Sequence, residues 1–170
     1  MTSPKAAFLA LAMLLATWSS AAAQTPSSAP RTPPPPPKPF HLVINATTLA
    51  GLPHITITAT DENGHTNSYT GVSLLALIDR AGAPAGEPVR GIAMMSYIVI
   101  SAADNYHVLF ALPELDASFN RHLVLIADQR DGTPFDSKEG PYRLIVPWER
   151  RDARWVREVT AVDLKNAPAP

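Results

Sequence analysis

The sequence predicts an α+β domain that is mainly β, and three observations carry the prediction. Short apolar stretches, alternating or continuously β-branched, recur from His41 to Leu164. Clusters of Gly, Asn, Asp and Pro separate them. Only Val72–Ala81 carries a sustained helical period.

The elements follow in order. His41–Asn45 reads as a strand. Thr47–Pro53 reads as a short helical turn capped by a threonine and stopped by proline. His54–Thr60 alternates, with Ile55 and Ile57 on one face and Thr56 and Thr58 on the other. The turn Asp61-Glu62-Asn63-Gly64 predicts a hairpin returning through Thr66–Tyr69. In the helix, Leu74, Leu75, Leu77, Ile78 and Ala81 share a face, Ser73 is the N-cap and Gly82 closes it. Ala83–Gly91 is a loop, Met94–Ala102 an apolar strand and Tyr106–Ala111 its partner, with Met94 and Met95 assigned to the core. Pro113–Asp116 is a helical turn with proline near its start. Leu123–Ala127 is a buried strand, Arg130–Thr133 a turn, and Arg143–Pro147 a strand ending in a proline corner. Trp155, Val156 and Val159 predict one helical turn before a last strand through Leu164.

The N-terminal region is organised differently. Lys5 is the only charged residue before Arg31, Ala6–Trp18 is apolar, and small residues stand at Ala21 and Ala23. This is the pattern of a secretory signal cleaved after Ala23, and the apolar run is too short for a membrane span. The expected location is therefore periplasmic or secreted, with no membrane span after cleavage. Residues 24–39 form a proline-rich linker whose Pro33–Pro37 run favours a stiff polyproline II spacer; a docking motif for an aromatic groove is its alternative use. The expected organisation is thus signal 1–23, linker 24–39, domain 40–165 and a frayed tail 166–170.

Composition excludes several functions. The net charge is −1, with 17% charged residues, so the chain is not a basic nucleic-acid binder. The absence of cysteine excludes a disulfide framework, a thiolate nucleophile, a Cys-ligated metal and c-type haem attachment. None of the histidines (41, 54, 65, 107 and 122) has the spacing of a zinc motif, and no Walker or G-x-S-x-G pattern is present. No catalytic residue and no metal ligand is identified.

Charge is nevertheless unevenly placed. Residues 143–157 carry five arginines and two acids, +3, whereas residues 40–142 carry 5 basic and 11 acidic residues, −6. Guanidinium forks fit phosphate and sulfate, which makes Arg150 and Arg151 candidate anion-binding residues. The plainer reading is a solvated strip with local ion pairs such as Arg151–Asp152. Trp148 and Trp155 flank the cluster, either to stack on a flat ligand or to pack against the domain.

Several segments carry a resemblance. They are Tyr69-Thr-Gly-Val-Ser-Leu-Leu-Ala-Leu-Ile78, Ala102-Ala-Asp-Asn-Tyr106, Leu112-Pro-Glu-Leu115, Leu125-Ile-Ala-Asp-Gln-Arg-Asp-Gly-Thr-Pro134, Gly140-Pro-Tyr-Arg-Leu-Ile-Val-Pro147 and Ala153-Arg-Trp-Val-Arg157. In this order they resemble the molybdopterin-binding domain of the sulfite oxidase family, over about residues 69–164. Asn105 stands where that family usually has glycine. The resemblance implies a truncated sulfite oxidase-like fold, with Phe40–Ser68 in place of most of the family's first half. It implies cofactor contacts at Arg154, with Ala153 and Trp155 beside it; Arg143 matches the family's strand arginine, either a cofactor contact or structural, and His107, following Tyr106, either faces a pocket or is an ordinary strand histidine. Molybdopterin is the cofactor it suggests, but the family's molybdenum-ligating cysteine has no counterpart. The leading expectation is an exported, non-catalytic binding or accessory module for an anion, a pterin-like ligand or a partner protein. The alternatives are a minimal molybdopterin-dependent oxidoreductase completed by a partner chain, and a purely structural domain on a proline-rich stalk.

Overall fold

A computed structural model describes residues 35–168; the expected signal and cleavage site lie outside them. Nine strands build two antiparallel sheets. The first runs in the order β1 (Phe40–Val43), β9 (Val159–Asn166), β4 (Ser96–Ala102), β5 (His107–Ala111). The second runs β2 (His54–Thr60), β3 (Thr66–Ser73), β6 (Leu125–Arg130), β7 (Thr133–Pro134), with β8 (Arg143–Ile145) also paired to β6. Three short helices complete the fold: α1 (Ala46–Leu49), α2 (Leu74–Arg80) and α3 (Leu112–Leu115). The mainly β, α+β prediction holds. Among the described residues no helix is long and apolar enough to cross a membrane.

Alternation decides which side chains enter the core. Along β4, residues 96, 98, 100 and 102 are buried and the residues between them are half-buried. Ile98, Ile100, Phe110, Val162 and Leu164 from the first sheet meet Val72, Leu125, Ile126, Leu144 and Ile145 from the second in one apolar cluster. The buried face of α2, Leu74, Leu77 and Ile78, joins them.

Local chemistry explains the boundaries. The Asp131-Gly132 pair has positive φ at both positions, as a two-residue β6–β7 hairpin requires. Between β3 and β6 the register shifts at Thr70/Gly71, leaving Asp128 as the extra residue of a bulge. Gly71 is required there: a Cβ would lie 2.5 Å from Ala127 Cα and closer still to the Ile126 carbonyl oxygen.

Several elements differ from expectation. Asn45, not a threonine, caps α1: its Oδ1 accepts from Thr48 N–H while Thr48 Oγ1 accepts from Asn45 N–H. Val72 and Ser73 belong to β3, so α2 starts at Leu74, with Ser73 as its cap. Met94 and Met95 are not core; they end an exposed 3₁₀ turn, Gly91–Met95, before β4 begins at Ser96. The turn expected at Trp155 comes earlier, at Asp152–Arg154, and Trp155 and Val156 follow it buried and outside any helix. The tail does not fray at Asn166: this residue ends β9, accepts from Ser96 Oγ (2.7 Å) and donates through Nδ2 to the Pro37 carbonyl (2.8 Å).

Candidate functional site

Three segments far apart in sequence meet around one polar cleft of about 460 Å³. The end of β4 and the turn after it supply Ala102, Asp104 and Tyr106; the turn before β8 supplies Lys138 and Glu139, and the start of β8 supplies Arg143; the run into β9 supplies Asp152, Ala153 and Trp155–Glu158. Ala102, Asp104, Tyr106, Arg143, Ala153 and Trp155–Arg157 fall in three of the segments that carried the resemblance, whereas Lys138, Glu139, Asp152 and Glu158 lie outside them.

Backbone geometry holds the segments together. Asn105 has φ +67°, the left-handed region that favours glycine and admits asparagine. That conformation turns the chain so that the Tyr106 hydroxyl donates to the Ala153 carbonyl at 2.8 Å. Glu158 also lies at positive φ, +49°, which costs of order 1 kcal/mol in a residue of its type. Its N–H donates to Glu139 O (3.0 Å), and its carbonyl accepts from Ala103 N–H (3.0 Å), so it stitches the other two turns together. The floor is aromatic: Trp155, 3% exposed, donates through Nε1 to Val146 O and meets Tyr69 edge-on at 5.8 Å. Burial pushes the Tyr69 hydroxyl above the usual tyrosine range, against the nearby Arg143 charge.

The charges are mixed. Glu139 takes Arg130 on one oxygen (2.8 Å) and Arg143 Nη1 on the other (3.1 Å). The Arg143 side chain is only 12% exposed, and its Nε is buried without a partner. Among the described residues, Lys138 and Arg157 form no ion pair at the rim, while Asp104, Asp152 and Glu158 bring carboxylates beside them. The cleft thus offers guanidinium and ammonium donors together with carboxylate acceptors.

The nominated residues divide. Arg143, Ala153 and Trp155 line the cleft. Arg154 does not. Its guanidinium sits 4.1 Å over the Phe110 ring, pairs with Glu114 (2.9 Å) and with Glu149, and donates to Leu109 O (2.9 Å). Burial alone would lower its pKa, but the hydrogen bonds it donates to Glu149 and Glu114, and their charges, hold the guanidinium above its ordinary range. Arg150 and Arg151, the anion-binding candidates, are exposed, and neither lines the cleft, so they do not join Arg143 there. Nor does Arg151 pair with Asp152, which instead exchanges hydrogen bonds with Glu62 (3.2 and 3.4 Å). His107 lies on the exposed side of β5 with Nδ1 3.0 Å from Ser101 Oγ, outside the cleft. Trp148 stacks on His122 at 4.5 Å, away from Trp155.

Sequence reasoning overlooked Lys138, Tyr106 and Arg157 as site residues. A signal existed for two of them: Tyr106 and Arg157 each end a segment quoted for the resemblance, yet the weight fell on Arg154. Lys138 had no such signal. No family model matches the chain, and no curated protein matches it.

Proposed function

We propose that this chain is an exported sulfite oxidase-like binding module whose cleft takes a pterin-like ligand carrying an anionic arm, without catalysing oxidation. The single observation that carries this reading is the meeting of residues 102–106, 138–143 and 152–158 around one polar cleft. A bare anion suits the cleft poorly, because four carboxylates, Asp104, Glu139, Asp152 and Glu158, stand among its three cations. A heterocycle with ring N–H and amino donors uses both signs. Carboxylates accept from the ring, while Arg143, Arg157 and Lys138 hold a phosphate through charge-assisted hydrogen bonds. Trp155 supports the cleft from below.

Molybdenum does not fit the residues present. The chain has no thiolate to offer, and among the described residues no three His, Asp or Glu side chains gather as metal ligands. No redox step is assigned to the cleft. Export rests on the N-terminal pattern of Lys5, Ala6–Trp18 and Ala21-x-Ala23.

The test is to purify the protein from a molybdopterin-producing host, assay its molybdenum, and titrate it with a pterin phosphate. Saturable binding, weakened in Arg157→Gln, with no stoichiometric molybdenum and no sulfite oxidation, is the expected result. About one molybdenum per chain with sulfite turnover would establish the oxidoreductase alternative. Failure of the pterin phosphate to bind would remove the proposed ligand.

A further inference from the structure

On another part of the surface, two apolar grooves of about 250 and 340 Å³ share the segment Arg121-His122-Leu123. Leu75 and Leu115 line the first, Ile57 and Trp148 the second. Neither is lined by a single aspartate or glutamate, although the domain between residues 40 and 142 is acidic. Arg121 is exposed, and among the described residues it makes no ion pair and no side-chain hydrogen bond. The His122 ring lies flat on Trp148, 15° from parallel, so the second groove has an aromatic wall and a polar edge at the same residue pair.

We propose that these grooves form one binding site for an amphipathic anion: an apolar body such as an alkyl chain, with a single carboxylate head held by Arg121. The charge complementarity points to this class. An apolar ligand gains from burial along Leu75, Leu115, Ile57 and Trp148. A cation meets only Arg121, which repels it, and a carboxylate meets a fork with all of its donors unclaimed. The shared segment makes the combined space comparable with the roughly 300–1,000 Å³ of small-molecule sites.

The loop that carries Arg121 is fixed by its neighbour Asn120. Asn120 Nδ2 donates to Glu114 O (2.7 Å), and its Oδ1 accepts from His122 N–H (2.8 Å), fixing the backbone on both sides of Arg121. The backbone that carries Arg121 is therefore braced beside apolar walls.

The experiment is a titration of the purified protein with dodecanoate, dodecanol and dodecyltrimethylammonium, read by the Trp148 indole N–H resonance and by calorimetry. Dodecanoate should bind saturably with the Trp148 signal moving, and the two other amphiphiles at least about tenfold more weakly, the scale of one charge-assisted contact. Arg121→Gln should remove the preference for the carboxylate and leave dodecanol binding unchanged; since Arg121 is exposed, this variant keeps the fold. Equal affinity for all three amphiphiles, or unaltered dodecanoate binding in Arg121→Gln, would overturn the proposal. So would a peptide of residues 26–39 moving the Trp148 resonance where dodecanoate does not, which would make the proline-rich segment the occupant.

Discussion

The polar cleft and the apolar groove differ less in the cations they contain than in what faces them. Around the cleft, Lys138, Arg143 and Arg157 stand among four carboxylates, and Arg143 already shares Glu139 with Arg130. In the groove, Arg121 stands with no carboxylate beside it. Linear charge density points the other way: residues 143–157 are +3, whereas Arg121 belongs to the acidic stretch. Arg154 explains the reversal, because Glu114 and Glu149 claim it and Phe110 carries its guanidinium face. What matters for recognition is the charge left over after folding, and a count along the chain does not contain it.

The comparison breaks most severely if the scaffold common to both regions is disturbed. Gly71→Ala forces a methyl into the Ile126–Ala127 backbone at the β3–β6 bulge, and overpacking of this kind costs about 3 kcal/mol. Urea denaturation should show that loss, with both ligand responses weakened together.

Arg154 tests the distinction between a paired and an available charge. Arg154→Met strands Glu114 and Glu149 and should destabilise the fold by about 2 kcal/mol, less than for a fully buried pair because the guanidinium is 26% exposed. Pterin phosphate affinity should stay within about twofold. Were Arg154 the cofactor contact that the resemblance implies, the variant would instead weaken ligand binding at little cost in stability, so thermal melting and calorimetry on this one variant separate the two roles.

Asp116 braces the loop leading to the groove. Burial alone would push its carboxyl up, but hydrogen bonds from Ser118 Oγ, Gly86 N–H and Ser118 N–H hold it below the ordinary aspartate value of 3.8. A group depressed in the folded state stabilises the fold above its unfolded pKa and stops doing so as pH falls through the folded value. Asp116→Asn should therefore cost about 1–2 kcal/mol at neutral pH. The gap to the wild type should stay level down to about pH 5 and close below about pH 4, as denaturation curves across that range will show.

The smallest effect sharpens the comparison from the side of the cleft. Glu158→Gly relieves a positive φ and should raise stability by up to about 1 kcal/mol, while removing a cleft carboxylate and weakening pterin phosphate binding. The groove has no equivalent strained residue among its lining, so dodecanoate binding should not change.

Much of the fold was legible because alternation and turn chemistry are local. His54–Thr60 and its return strand follow from period two and the Asp61–Gly64 turn, and α2 follows from its apolar face and Ser73. Met94 and Met95 misled because an apolar pair reads as core wherever it falls, and it is their place in the Gly91–Met95 turn that leaves them exposed. At the cleft, Asn105 was informative: its departure from glycine stands at a position where positive φ admits few other residues. Arg143, Ala153 and Trp155 came from the resemblance and do line the cleft. The positions of Arg154, Lys138 and Arg121 were not legible, since each depends on which carboxylates the topology brings near, and Glu114 is forty residues from its partner Arg154.

Whether the three segments form one ligand site is tested most directly by amide chemical-shift mapping during a pterin phosphate titration. The predicted result is one saturable set of shifts in residues 102–106, 138–143 and 152–158, with Arg121–Val124 unmoved. Shifts confined to Arg150 and Arg151, shifts centred on the groove, or no saturable shifts at all would contradict it.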